Sequence, residues 1–414
     1  MPRLLADRRF RLLLAAQTLT MFGDVALFLV LAIWVKDLTG SDGAAGSVFL
    51  ALILPMVVAP VVAVWIDRFP RRLVMIANDL TTGVVVLALL LVHDRGDVWV
   101  IYAVAAFYGI SQQIFFAARS GLLATWLEGE ALPDANGALE SIRAGLRIVG
   151  PLTGAALYGA FGGGATALLD AATFFASAFL LSLLRVPDIG RKQKDDVSFA
   201  NEVSEGIRHV LGTPELRLLV IVFAIALCVV GFLEPAVFAM VDDGLHRPPE
   251  FLGVLATFQG VGAVAGGVLA ARALRRFAEL KVIGAGSLLL GVGLAPIATA
   301  VLPAVFVGTV ALGVGFAALN VGYFTILQRR TSVGLQGRVF AATETVLNLP
   351  FAGSIGLGAA LVGVLGFRPM YLVNAFVLAV CGAFLLWTKV GPPEPDDVVA
   401  EERLHAPEGI VPPS

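Results

Sequence analysis

The sequence predicts an all-α integral membrane protein of twelve transmembrane helices, and three observations carry that prediction. Hydrophobic residues make up 58% of the 414-residue chain and charged residues only 14%, whereas a soluble domain carries about 25% charged residues. The mean hydropathy is +0.88. The charges are clumped between apolar runs of about 20 residues, the length needed to cross the hydrocarbon of a bilayer as a helix. In lipid a backbone must satisfy its own hydrogen bonds, and a helix does so within one segment.

Taken in order, the apolar runs place helices near residues 10–35, 45–66, 73–92, 98–118, 137–160, 165–184, 216–240, 250–271, 279–300, 303–327, 339–363 and 367–388. The basic start (Arg3, Arg8, Arg9, Arg11) runs straight into the first apolar segment, with no small-residue cleavage site between them. The long charged stretch near 186–215 is amphipathic over 197–211, through Val197, Phe199, Val203, Ile207, Val210 and Leu211. The expected organisation is a six-helix bundle over 1–185, a cytoplasmic linker over 186–215 and a second six-helix bundle over 216–390. The Pro-rich, acidic tail over 391–414 reads as disordered.

Orientation follows from Lys and Arg. With both termini cytoplasmic, 22 of the 29 basic residues fall in inside segments and only Lys36, Arg95, Arg247 and Arg368 fall outside. Arg119, Arg143 and Arg147 complete the count. The two halves also resemble each other. A shift of 204 residues lays Ala138-Leu139-Glu140 on Ala342-Thr343-Glu344, Gly154 to Leu157 on Gly358 to Leu361, and Asp170-Ala171 on Asn374-Ala375. Parallel halves of this kind are related by an axis along the membrane normal, with the substrate site between them near the midplane.

Between the second and third helices stands Ala63-Val-Trp-Ile-Asp67-Arg68-Phe-Pro-Arg71-Arg72. It resembles the loop signature G-x-x-x-D-R-x-G-R-R of the major facilitator superfamily, with Ala63 and Pro70 in place of two glycines. The fifth helix carries Gly145-Leu-Arg147-Ile-Val-Gly150-Pro151-Leu-Thr-Gly154, similar to the Gly-Pro motif of that superfamily's proton-coupled drug exporters; Ala155 replaces the last glycine. Phe116 to Arg119, Ala135 to Glu140 and Gln336 to Val339 add local matches to the macrolide-efflux and siderophore-export branch. The resemblance implies the major facilitator fold, export rather than import, and a latch in which Asp67 pairs with Arg68, Arg71, Arg72 or a facing helix N-terminus. The competing reading of those arginines is positive-inside anchoring.

Ionisable groups at membrane depth are costly and therefore functional candidates. Asp24, midway along the first helix, is the foremost candidate for proton coupling; its alternative is a structural hydrogen bond to a neighbouring helix. Glu234, before Pro235 in the outer third of the seventh helix, either binds a cation, exchanges a proton or meets outer water. Glu140, Arg143, Arg147, Gly150 and Gly154 share one face of the fifth helix, which should face the protein interior. Arg147, about 15 Å in if that helix starts near 137, is the candidate to pair with an acid. Glu140 and Arg143 read as an inner gate or as snorkelling side chains. Arg119 snorkels or gates at the end of the fourth helix. Arg338 belongs to the local match that opens the eleventh helix, and Glu344, one or two turns in, reads as a gate partner. Asp170 reads as structural. Gln112, Gln113, Gln259, Asn320 and Asn348 are candidate cavity-lining polar groups, with Phe232, Phe258 and Phe316 as an apolar wall.

No nucleotide-binding G-x-x-x-x-G-K-[ST] loop, H-E-x-x-H or G-x-S-x-G occurs. No catalytic residue, metal site or cofactor is expected, protons serving as the coupling ion. The net charge of −2 gives no reason to expect nucleic acid. The expected partners are the bilayer and an amphipathic small molecule, and the chain is expected to act as a monomer. The leading expectation is a proton-driven exporter of drug-like or natural-product compounds in a bacterial inner membrane. The rivals are a lipid or lysolipid translocator and a non-transporting sensor of the same fold.

Overall fold

The computed structural model describes residues 6–55, 69–127, 131–185, 207–331 and 336–388. Among the described residues the chain forms twelve long helices, joined mostly by short turns. The first six are α1 (Arg8–Thr39), α2 (Asp42–Ile53), α3 (Arg71–Leu87), α4 (Val98–Trp126), α5 (Ala131–Phe161) and α6 (Gly163–Ser182). The second six are α7 (Pro214–Ala239), α8 (Phe251–Ala273), α9 (Glu279–Ala298), α10 (Leu302–Arg329), α11 (Gln336–Leu365) and α12 (Phe367–Trp387). Ten spans are long and apolar enough to cross a membrane by themselves. The other two helices are α2, which is apolar but 12 residues long, and α5, whose apolar run is diluted by Arg143, Arg147 and Pro151.

Local chemistry explains where helices begin and end. Asp7 caps α1 by accepting from the Arg9 N–H at 2.8 Å. Gly40, at φ 69°, ends that helix in the left-handed conformation that glycine adopts without strain. Ser41 then caps α2 through the Ala44 N–H. Asp94 and Asp97 form a capping box ahead of α4. Two helices outrun the sequence-based boundaries by about six residues or more at one end: α4 continues to Trp126 and α5 begins at Ala131. The amphipathic segment expected over 197–211 falls mainly outside the described residues, with 207–212 helical. The tail over 391–414 lies outside them.

Surface and interior are distributed as a bilayer requires. Large apolar side chains such as Phe376, Phe179, Trp99 and Leu91 point outward, an arrangement that water would penalise. Polar and charged side chains are instead gathered inside: Asp79, Thr82, Asp170 and Ser177 are fully buried. Helices α1–α6 pack on one another and α7–α12 do likewise. The halves meet along α2 with α7 and α11, and along α5 with α8. At one such contact the Thr257 hydroxyl of α8 donates to the Ile148 carbonyl of α5 at 3.0 Å. At the face carrying the α1–α2 turn, Lys36 bridges Asp42 at 2.7 Å and Asp242, in the π-helical turn after α7, at 2.8 Å. That ion pair ties one half to the other.

Candidate functional site: a buried polar group between α1, α3, α4 and α6

The site is built on Phe22-Gly23-Asp24 of α1. Gly23 permits a very close approach to α6: a Cβ there would stand 2.2 Å from Asp170 Oδ1 and 2.4 Å from Thr173 Oγ1. That approach sets Asp24 beside α6, where it also meets α4. Tyr108 and Gln112 lie four residues apart on α4 and so share a face. Both donate to Asp24, the Tyr108 hydroxyl to Oδ1 and Gln112 Nε2 to Oδ2 at 2.6 Å. The Tyr108 oxygen also lies 3.3 Å from Asp170 Oδ2, and its ring packs edge-on against Phe174. Arg143 of α5 acts on Asp24 electrostatically.

A second layer lies next to this one. Ser177 of α6 donates to Asp79 Oδ2 of α3 at 2.6 Å, while Asp79 Oδ1 is buried and makes no hydrogen bond among the described residues. Asn78 Nδ2 donates to Ser111 Oγ at 3.0 Å, and the Thr82 and Ser111 hydroxyls are 2.6 Å apart. Thus α1, α3, α4 and α6 enclose three carboxyl groups, and α5 presents a cation to the first. Unpaired charge inside a membrane protein is expensive, so this concentration is the strongest functional signal in the molecule.

The other expected site residues fall into distinct places. Arg119 neither snorkels nor ends its helix: it is buried inside the longer α4, donates to Gln17 Oε1 at 2.7 Å and lies over the Phe116 ring. On α5 the anticipated face splits. Gly150 and Gly154 are buried against Val25 and Ala26 of α1, whereas the Arg147 side chain is exposed. Arg143, not the deeper Arg147, is the cation that acts on Asp24. Pro151 sits inside that helix between the two glycines. Of the loop signature, Arg71 donates to the Gly121 carbonyl at 2.6 Å and Arg72 to the Leu181 and Ser182 carbonyls that end α6. Those bonds join helices of one half, and those of Arg72 satisfy helix-end acceptors. Asp67 and Arg68, and the side chains of Glu140, Arg338 and Glu344, lie outside the described residues.

In the second half, Glu234 is partly buried on α7, where its carboxylate has no hydrogen bond or ion pair among the described residues, and the buried Tyr371 is an electrostatic neighbour. Asn320 bonds its own helix at the Phe316 carbonyl, 2.9 Å away. Phe232 and Phe316 pack against the apolar core, and the Phe258 ring packs tilted against Phe306 with centroids 4.4 Å apart. Gln259 is exposed, and Gln113 and Asn348 are partly buried; among the described residues no hydrogen bond joins these three to the Asp24 group. Sequence reasoning missed Tyr108, Asp79, Ser177 and Gln17. Asp79 carried a usable signal, an acid in the middle of the third apolar run.

Comparison with known proteins agrees with this architecture. The family model of the Major Facilitator Superfamily matches residues 13–241 and 233–412. The multidrug efflux pump Tap of Mycobacterium tuberculosis is 28% identical over 362 residues, covering 84% of this chain and 84% of that protein. Macrolide efflux protein A of Streptococcus pyogenes is 22% identical over 387 residues, covering 91% and 95%. The crystal structure of a bacterial homologue of the iron transporter ferroportin, in an inward-facing state, superposes with a TM-score of 0.71 at 19% identity, covering 92% of this chain and 99% of that one. At that identity the structural likeness speaks to fold alone. Two family matches that together span nearly all of the sequence, on a chain of membrane helices with a buried polar centre, make this chain a multi-pass membrane transporter that belongs to the Major Facilitator Superfamily.

Proposed function

We propose that the chain is a secondary active exporter of amphipathic, drug-like or natural-product compounds, driven by proton antiport. It works in a bacterial inner membrane with both termini cytoplasmic, as the distribution of Lys and Arg favours. The observation that carries the reading is Asp24. This carboxylate sits at mid-span, partly open, held by Tyr108 and Gln112 and faced by Arg143. An acid so placed can exchange a proton for a cationic or polarisable substrate. In alternating access such exchange needs one group to meet both ligands in turn. The efflux functions named for the 28% and 22% identical relatives support the direction. Apolar groups such as Phe232 and Phe316 suit an amphipathic substrate better than a sugar or an ion.

The test is reconstitution in liposomes containing a pH-sensitive dye, with dyes and macrolides added under an imposed proton gradient. Substrate-dependent proton movement in wild type that is lost in Asp24→Asn is the expected result. Substrate movement without proton movement would refute antiport. Proton-coupled movement surviving in Asp24→Asn would move the coupling role to another acid.

A further inference from the structure

We infer that Asp170 carries a proton in this arrangement and that Tyr108 is the relay that passes it to Asp24. The inference deepens the proton-antiport reading and rests on it for its physiological use, but the hydrogen-bond count that supports it does not. A tyrosine hydroxyl has one proton to donate. Tyr108 places it on Asp24 Oδ1, yet the same oxygen lies 3.3 Å from Asp170 Oδ2. With the Tyr108 proton committed to Asp24, the contact with Asp170 is a full hydrogen bond only if Asp170 supplies the proton.

The donors around Asp170 give the same answer. Thr173 has one hydroxyl proton and places it on the Asp170 backbone carbonyl at 2.7 Å, leaving Asp170 Oδ1 at a marginal 3.5 Å. Asp170 is fully buried. Ionised, it would have no committed donor, and a buried charge without donors is among the costliest arrangements a protein can hold. Protonated, it donates to Tyr108 and the chain of bonds closes. The charged groups on the surrounding helices agree: Asp24 on α1 and Asp79 on α3 are acids, and Arg143 on α5 acts on Asp24. Among the described residues no cation acts on Asp170.

The relay step balances. The Asp170 O–H bond breaks as its proton joins the Tyr108 oxygen, and the Tyr108 O–H bond breaks as its own proton joins Asp24 Oδ1. Tyrosine is neutral before and after, and one negative charge moves from Asp24 to Asp170. The proton that neutralises the partly exposed Asp24 therefore comes from a fully buried store rather than directly from water. At the matching position of the second half stands Asn374, whose amide bonds its own helix at the Met370 carbonyl, so an amide is a natural conservative replacement.

Infrared difference spectroscopy on the purified protein in lipid, at neutral pH and without substrate or gradient, tests both parts. The wild-type minus Asp170→Asn spectrum should contain a carboxylic-acid C=O band; carboxylate bands in its place would overturn the inference. In deuterated water the exchange of that band should slow at least about tenfold in Tyr108→Phe, the scale of a lost proton-transfer group; unchanged exchange would overturn the relay. A Tyr102→Phe control, the same chemical change on α4 at a hydroxyl that bonds the Ala44 carbonyl and Ser47 rather than the acids, should exchange at the wild-type rate; slowing equal to that of Tyr108→Phe would mean that general disturbance, not the relay, is being read. If the band and its Tyr108 dependence hold while liposomes show no proton movement with any compound, the antiport reading falls and the proton store stands.

Discussion

Across the internal repeat, the three acids that the first half gathers inside are matched by neutral residues in the second. A shift of 206 lays the start of α1 on that of α7 and puts Asp24 on Val230. A shift of 208 aligns α3 with α9 and puts Asp79 on Ser287; a shift of 204 aligns α6 with α12 and puts Asp170 on Asn374. The donors change together with the acids. Aligning α4 with α10 puts Tyr108 on Leu312 and Gln112 on Phe316. Buried acids are tolerable only with their donors, so the first half keeps acids and donors together and the second replaces them with neutral side chains, Val230, Leu312 and Phe316 being apolar and Ser287 and Asn374 polar. Under the proposed antiport that difference is a division of labour, with proton handling in α1–α6 and an apolar wall for substrate in α7–α12.

Asp24→Asn is the sharpest way to break that comparison. Substrate-driven proton movement should fall at least about 100-fold, the scale on which a proton-transfer group contributes. Glu234→Gln, the same chemical change in the other half, should fall less than about tenfold. Equal losses in the dye-quench assay would show that both halves handle protons.

How much of this could be read in advance divides along physical lines. Helix count and order are legible because spanning length and backbone satisfaction are local demands, met run by run. Asp24 was legible because a charge at depth stands out by itself, and Asp79 satisfies the same rule. Tyr108 is neutral and aromatic, and its role exists only where α1, α4 and α6 converge. Arg119 was misplaced because the apolar run fades near residue 118 while α4 continues to Trp126, and the Gln17 that receives it is about 100 residues away. The tie from Lys36 to Asp242 joins the two halves and leaves no trace in either segment alone.

That tie is the next point of attack. Lys36 is buried and separates two acids, so its removal leaves Asp42 and Asp242 facing each other. A double-mutant cycle of Lys36→Met and Asp242→Asn should show coupling of about 1 kcal/mol in thermal unfolding, because Asp242 is half exposed and water screens the pair. Additive effects would mean that this ion pair contributes nothing to holding the halves together.

Gly23 tests the close approach that assembles the acids. Gly23→Ala puts a methyl group into Asp170 and Thr173; overpacking of this kind costs about 1–3 kcal/mol. Because the clash falls on the carboxyl pair, proton movement should fall with stability. The aligned residue in α7 is Val229, itself buried. Val229→Ala should cost about 1–2 kcal/mol as a small cavity and leave the proton signal per folded molecule unchanged. If Gly23→Ala unfolds more easily but moves protons normally, the α1–α6 approach is structural only.

The smallest expected effect contrasts two ways of filling one place. In the first half Arg119 bonds Gln17; at the aligned positions of the second half Tyr323 stacks on Phe223, with centroids 4.0 Å apart and planes 20° from parallel. Phe223→Leu keeps most of the buried volume and loses the ring contact, which contributes about 0.5–1.5 kcal/mol. Melting measurements in one detergent should detect that loss, and substrate-driven proton movement should be unaffected. A proton defect in Phe223→Leu would place part of the coupling machinery in the second half and undo the division of labour drawn from the repeat.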